Sequence, residues 1–269
     1  MRTLGAVLGV WLAGAACALA DPTQLASREA LRGWEPVGRV DIGDRGYCTG
    51  TLIAPDLVLT AASCVIGEDG EPVDAGTIRF RAGLIEGVAL ADSAVTRTIV
   101  AKGYRHVEPA SAEMILRDVA LLELATPVPS GVVSAYSVAL PQDTGDLAIA
   151  YYGGGKVEAP WLQDGCTNEG RQDGIFGVDC GAAGLALGAP IFERTGYRVK
   201  VVGIASAHID QDGKTILLAM ELPDIIAALK AALRRGEATS RAATAVPKSG
   251  AKRIKPGEGN DTGAKFVSP

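Results

Sequence analysis

No Cys-x-x-Cys pair occurs in the sequence, and only two histidines, His106 and His208, are present. Structural zinc is built from these residue types, so no metal site is expected and no cofactor is implied. Cations are in the minority, with 26 Lys and Arg against 31 Asp and Glu and a formal charge of −5. A chain without a basic footprint is not expected to bind nucleic acid. Internal repeats are absent. Outside the first twenty residues there is no long apolar run, and that first run is short and lacks a basic stop-transfer cluster. No membrane span is expected.

What is present points outward from the cell. Arg2 supplies a positive start, Leu4 to Leu19 an apolar run, and Ala18-Leu19-Ala20 a small-x-small cleavage site before Asp21. Residues 1–20 therefore read as a secretory signal. Cys17 raises a lipoprotein alternative, but the position three before it is Gly14, where a lipobox wants leucine. Cleavage after Ala20 leaves four cysteines, Cys48, Cys64, Cys166 and Cys180. An even set in an exported chain predicts two disulfides, and of the three possible pairings local closure favours Cys48–Cys64 and Cys166–Cys180.

The chain of 269 residues is 48% hydrophobic, enough for one large all-β domain or two small ones. From Val40 to Leu222 it runs as about a dozen short β-like segments separated by Gly, Pro and Asp. Val119-Ala120-Leu121-Leu122 and Val201-Val202-Gly203-Ile204 are continuously apolar, as in strands buried on both faces. One helix is expected after Pro223, capped by Asp224, with Ile225, Leu229 and Leu233 on its buried face and Arg234-Arg235-Gly236 ending it. From Gly236 onward six Lys/Arg accompany three Asp/Glu and almost no large apolar residue. Residues 236–269 are expected to form a disordered basic tail, dispensable for folding. Asn260-Asp261-Thr262 fits a glycosylation sequon, a weak match within that tail.

Three stretches carry a family resemblance. Cys48-Thr49-Gly50-Thr51-Leu52-Ile53-Ala54-Pro55-Asp56-Leu57-Val58-Leu59-Thr60-Ala61-Ala62-Ser63-Cys64 resembles the segment of trypsin-like serine peptidases that ends Thr-Ala-Ala-His-Cys and bears the catalytic histidine. Arg117-Asp118-Val119-Ala120-Leu121-Leu122 resembles the strand whose aspartate orients that histidine. Asp179-Cys180-Gly181 through Gly188-Ala189-Pro190 resembles the stretch carrying the nucleophile. Together they span about Gly33 to Leu233. The resemblance implies two packed six-stranded antiparallel β-barrels over residues 21–235, with a C-terminal helix.

Acyl transfer in that family needs a hydroxyl nucleophile, an imidazole, an orienting carboxylate and backbone donors for the oxyanion. The resemblance puts Ser63 at the base position, Asp118 at the carboxylate, Leu187 at the nucleophile and Leu185 at the oxyanion glycine. Gly181 takes the position that sets basic specificity, so no charge is offered there. Ser206 and His208 follow the strand that lines the substrate pocket, while His106 belongs to an outer strand. Losing base and nucleophile together removes a factor of about 10⁶ in a related triad. The leading expectation is an exported, periplasmic or secreted, inactive homologue that binds a peptide or protein. The alternatives are an active serine endopeptidase with a rearranged site, in which Ser63 and Asp118 act together, and a structural envelope protein.

The mature chain is expected to begin at Asp21. Amino-terminal sequencing of the exported protein checks this, and a start at Cys17 would indicate lipidation instead.

Overall fold

The computed structural model describes residues 21–67, 69–143, 145–153, 158–181, 188–195 and 198–242. The first barrel is built from β1 (Val37–Ile42), β2 (Tyr47–Ala54), β3 (Leu57–Thr60), β4 (Ile78–Ala82), β5 (Ala91–Val100) and β6 (Ala120–Leu124). The second holds β7 (Asp146–Tyr151), β8 (Trp161–Gln172), β9 (Ile175–Asp179), β10 (Pro190–Thr195), β11 (Arg198–Gln211) and β12 (Lys214–Met220). All pairings among these twelve strands are antiparallel. Around the first barrel the order is β1-β2-β3-β6-β5-β4, and around the second β7-β8-β9-β12-β11-β10. The two circuits are the same. Closure leaves few exposed strand edges, the device by which small β-proteins avoid pairing with one another.

The continuously apolar segments became interior strands. Ala120, Leu121 and Leu122 of β6 and Val201, Val202 and Ile204 of β11 are fully buried. One core joins the barrels, running from Val40, Leu52 and Phe80 to Ala148, Phe192, Val201 and Ile204. Trp34 and Tyr136 meet the Phe192 ring edge-on at 5.0 and 5.1 Å. A smaller core around Ile149, Phe176, Val178, Ile191, Val202 and Leu217 belongs to the second barrel alone. Both disulfides, Cys48–Cys64 and Cys166–Cys180, form as expected.

Two strands were not legible. β1 mixes Val37, Val40 and Ile42 with Gly38, Arg39 and Asp41, and only three of the twelve residues of β8 are buried. Hairpin signals at the ends of β8 and β11 were nonetheless in the sequence. β8 turns to β9 at Asp173-Gly174 and β11 turns to β12 at Asp212-Gly213, and all four residues have positive φ. Asp-Gly suits two-residue turns of that hand.

Helix α1 (Ala112–Arg117) was also unforeseen; the Ser111 hydroxyl caps it by accepting from the Met114 amide at 3.3 Å. Helix α2 (Pro223–Arg234) differs from expectation at both its start and its face. Pro223 lies inside the first turn, where its missing N–H costs nothing, and Leu222 rather than Asp224 is the cap. The buried stripe is Ile226, Leu229, Ala232 and Leu233, with Ile225 only partly covered. Its carboxyl end is held by Arg97, which donates to the Leu233 carbonyl at 3.2 Å while gripping Glu123 through two 2.5 Å contacts. Among the described residues no helix is long and apolar enough to cross a membrane.

Order extends seven residues past the expected start of the tail, and residues 243–269 lie outside the described residues. β4 covers β5 only as far as Ala94, which leaves the far half of β5 with an open edge. Ser240 and Arg241 fill it by pairing with Thr98 and Arg97. Thr239 donates to the Thr98 carbonyl and its hydroxyl accepts the Val100 amide, while Ser240 accepts the Ala75 amide. This order comes from backbone pairing, which composition does not register.

A chain ending at Arg235 should therefore be less stable than one ending at Ala242 by about 2 kcal/mol, lowering the melting midpoint by roughly 4–8 °C. Equal midpoints in thermal unfolding would show that the added strand contributes nothing.

Candidate functional site

Ser63 lies on a single 3-10 turn (Ala62–Cys64) immediately after β3. The Cys48–Cys64 bond ties this turn to β2. Across the groove, Gly188 reaches the same disulfide. Its φ is +78°, and a Cβ there would stand 2.9 Å from the Cys64 sulfur, so a side chain is excluded on both counts. Its amide donates to Ala205 on β11 at 2.8 Å. The second barrel thus docks its β10 entry against the turn that carries Ser63.

Asp118 closes α1 and opens β6. It is only 3% exposed. One carboxylate oxygen accepts the Ser63 amide at 2.7 Å. The other accepts the Ser63 hydroxyl at 3.2 Å and the Ser206 hydroxyl at 2.7 Å. Ser206 reaches it because the β11–β12 register slips between Ala205 and Ala207. A bulge of this kind takes one residue out of the ladder and re-aims its side chain. Ser63 comes from the first barrel and Ser206 from the second, so the carboxylate bridges the two.

These groups form one wall of a cavity of about 430 Å³, whose lining also includes Tyr104, His106, Glu108, Met114 and His208. Both histidines of the chain are therefore at this site. His106 was expected on an outer strand; it stands instead in the segment after β5, with its Nε2 3.8 Å from Glu108. Burial, and then the Asp118 charge, raises the Tyr104 phenol well above its usual range, so it is present as a neutral hydroxyl.

Gly181 does not line this cavity. It lies at φ +60° and donates its amide to Asp179 at 3.0 Å. Asp179 is 2% exposed and is held by Lys214 at 2.8 Å. Burial pushes the Asp179 carboxyl up, but the ammonium and the Gly181 amide together bring it below the ordinary aspartate value. Leu185 and Leu187 lie outside the described residues. A larger cleft of about 720 Å³ opens between the β8–β9 and β11–β12 hairpins and contains neither histidine nor Ser63. Among the described residues no group of three or more His, Cys, Asp or Glu is placed to hold a metal ion.

The chemistry available is a buried carboxylate, two serine hydroxyls on it, and two imidazoles on the cavity wall. Sequence motifs located the carboxylate, Ser63, Ser206 and His208. They missed Tyr104 and His106, which arrive on a segment without a motif.

Burial lifts the Asp118 carboxyl above the ordinary aspartate range, opposed by the donors on Ser206 and Ser63. A group with a raised folded pKa holds its proton more tightly when folded, so between the unfolded and folded values stability falls as pH rises. Asp118→Asn removes that dependence. As pH rises above the ordinary aspartate value of about 4, stability of the variant relative to the parent should therefore rise, read by denaturant unfolding at each pH. Parallel pH profiles would contradict a buried, titrating Asp118.

The Trypsin family model matches residues 28–153, a span that contains Ser63, Asp118 and the strands that carry them. A solved structure titled Glu endopeptidase in complex with MPD superposes with a TM-score of 0.61 and 19% identity, covering 78% of this chain and 96% of that one. No curated protein matches the sequence. These findings correct the expectation that the chain is not an enzyme. The family match holds in spite of serine at the histidine position and points to a protease family. The expectation required the imidazole to come from residue 63, whereas folding brings two others to the same cavity. Residues 28–153 thus match the Trypsin family model, and the fold is shared with a solved endopeptidase.

Proposed function

We propose that this protein is exported and engages a polypeptide segment in the cleft beside Ser63, Asp118 and Ser206. The observation that carries this reading is the open cavity of about 430 Å³ at that point, walled by residues of both barrels. A purely structural role would be better served by a filled cleft, since interiors are normally close-packed. The two disulfides and the fold suit an oxidising extracellular or periplasmic compartment. Cleavage before Asp21 completes the reading.

Hydrolysis at this site is the second reading, favoured by one observation. Two serine hydroxyls contact the Asp118 carboxylate, and His106 and His208 line the same cavity. A hydroxyl nucleophile needs a neighbouring base whose pKa lies near working pH, and imidazole is that group. Here it would come from a wall of the cleft rather than from position 63.

Affinity selection of a randomised peptide library on the mature protein tests the first reading. An enriched set is expected, lost on Ala207→Trp, which blocks the cavity mouth. Enrichment that survives Ala207→Trp, or none at all, would contradict it. Mass spectrometry of the same mixtures reports cleavage. Under the second reading cleavage products appear, a fluorophosphonate labels the protein, and Ser63→Ala or Ser206→Ala removes both signals.

A further inference from the structure

The contacts to Asp118 are uneven. Its carboxylate accepts from an amide and a hydroxyl at 2.7 Å each, but the Ser63 hydroxyl stands off at 3.2 Å. These donors are neutral, as are the Ala62 amide and the Tyr104 hydroxyl, which also bond to the carboxylate. Elsewhere in the fold Asp179 and Glu123 have cations on them, whereas the buried Glu193 accepts the Gln142 amide. Lys214 stands 2.8 Å from Asp179, and Arg97 holds Glu123. A buried anion satisfied by neutral dipoles alone gains most from a cation, because charge-assisted hydrogen bonds are about twice as strong as neutral ones. The weakest contact belongs to Ser63, a small side chain that itself lines the cavity. Rotation of that hydroxyl would expose one acceptor position on the carboxylate to whatever occupies the cavity.

The rest of the wall does not forbid a cation. Its charged and titratable groups are Asp118, Glu108, Arg105, Tyr104, His106 and His208. The two carboxylates, Asp118 and Glu108, outnumber the single guanidinium of Arg105. The chain as a whole is acidic, at −5, which favours encounter with basic partners.

We infer that the cavity selects a polypeptide with a cationic side chain, whose N–H groups displace the Ser63 hydroxyl and pair with the Asp118 carboxylate. This rests on the reading of the cleft as a polypeptide site and names the residue class it prefers. It assigns Asp118 a ligand-binding role. It also makes Ser63 a removable stopper, where a larger residue would seal the carboxylate from the cleft.

The test uses the mature protein and blocked Gly-X-Gly tripeptides with X as Lys, Arg, Gln or Leu, titrated at pH 7 by NMR. The Lys and Arg peptides should bind at least tenfold more tightly than Gln and Leu. Ser63→Ala should keep or strengthen that preference, and Ser63→His, which fills the space above the carboxylate, should abolish it. Asp118→Asn should reduce the preference to within twofold. Asp173→Asn, at a hairpin tip outside the cavity, should leave it unchanged. Since the ranking is read first in the unaltered protein, misfolding of a variant does not rescue a failed result. If all four peptides bind equally and Ala207→Trp blocks them, polypeptide engagement stands and the cation preference is overturned. If the Lys preference survives Asp118→Asn in a folded variant, the assignment to Asp118 is overturned. If none binds, both readings fall.

Discussion

Everything at the cleft depends on one carboxylate held away from water between two barrels. Asp118 accepts from Ser63 on the first barrel and from Ser206 on the second, at 3% exposure. An ionised group in that position is tolerated only when its lone pairs are met by donors, so the geometry of both flanking segments is constrained by it. The 3-10 turn at Ser63 and the bulge at Ser206 are the two backbone irregularities that deliver those donors. The disulfide at Cys64 and the bare backbone of Gly188 hold the two segments in register. Loosening any of these would leave the carboxylate short of partners.

The same constraint shapes what the site can do. In the trypsin-like peptidases that the sequence resembles, the aspartate orients an imidazole at the position Ser63 takes here. Here a serine fills that position and occupies far less volume. The space that results is part of the cavity, and the carboxylate faces it through its longest contact. The two readings proposed above draw on this space, one for a side chain from outside and one for His106 or His208 on the cavity wall. Both outcomes use Asp118, and both draw on the same open volume.

Legibility in the sequence followed physical cause. β6 and β11 were readable because strands buried on both faces must be apolar along their whole length. β8 was not, because its outer half is a ribbon facing solvent and its order comes from ladders with β7 and β9. Residues 239–242 were missed for a similar reason, since an open stretch of β5 recruits them through the backbone. At the site, Ser63 and Asp118 were found by motif. The Ser206 contact depends on a bulge, and His106 on the path of a segment between β5 and α1. Neither feature has a local signature.

By itself, the sequence determined the class of the fold, the local pairing of four cysteines and the identity of the residue at each motif position. Alternation, turn residues and cysteine spacing act over a few residues, so a linear reading captures them. Only the tertiary structure decided that both histidines share a cavity with Ser63, and that the carboxylate takes donors from both barrels. It alone placed Gly181 on Asp179 rather than in that cavity. Those relations join residues far apart in the chain, 88 positions in the case of Asp118 and Ser206. They arise from how two closed barrels pack, which no local pattern encodes.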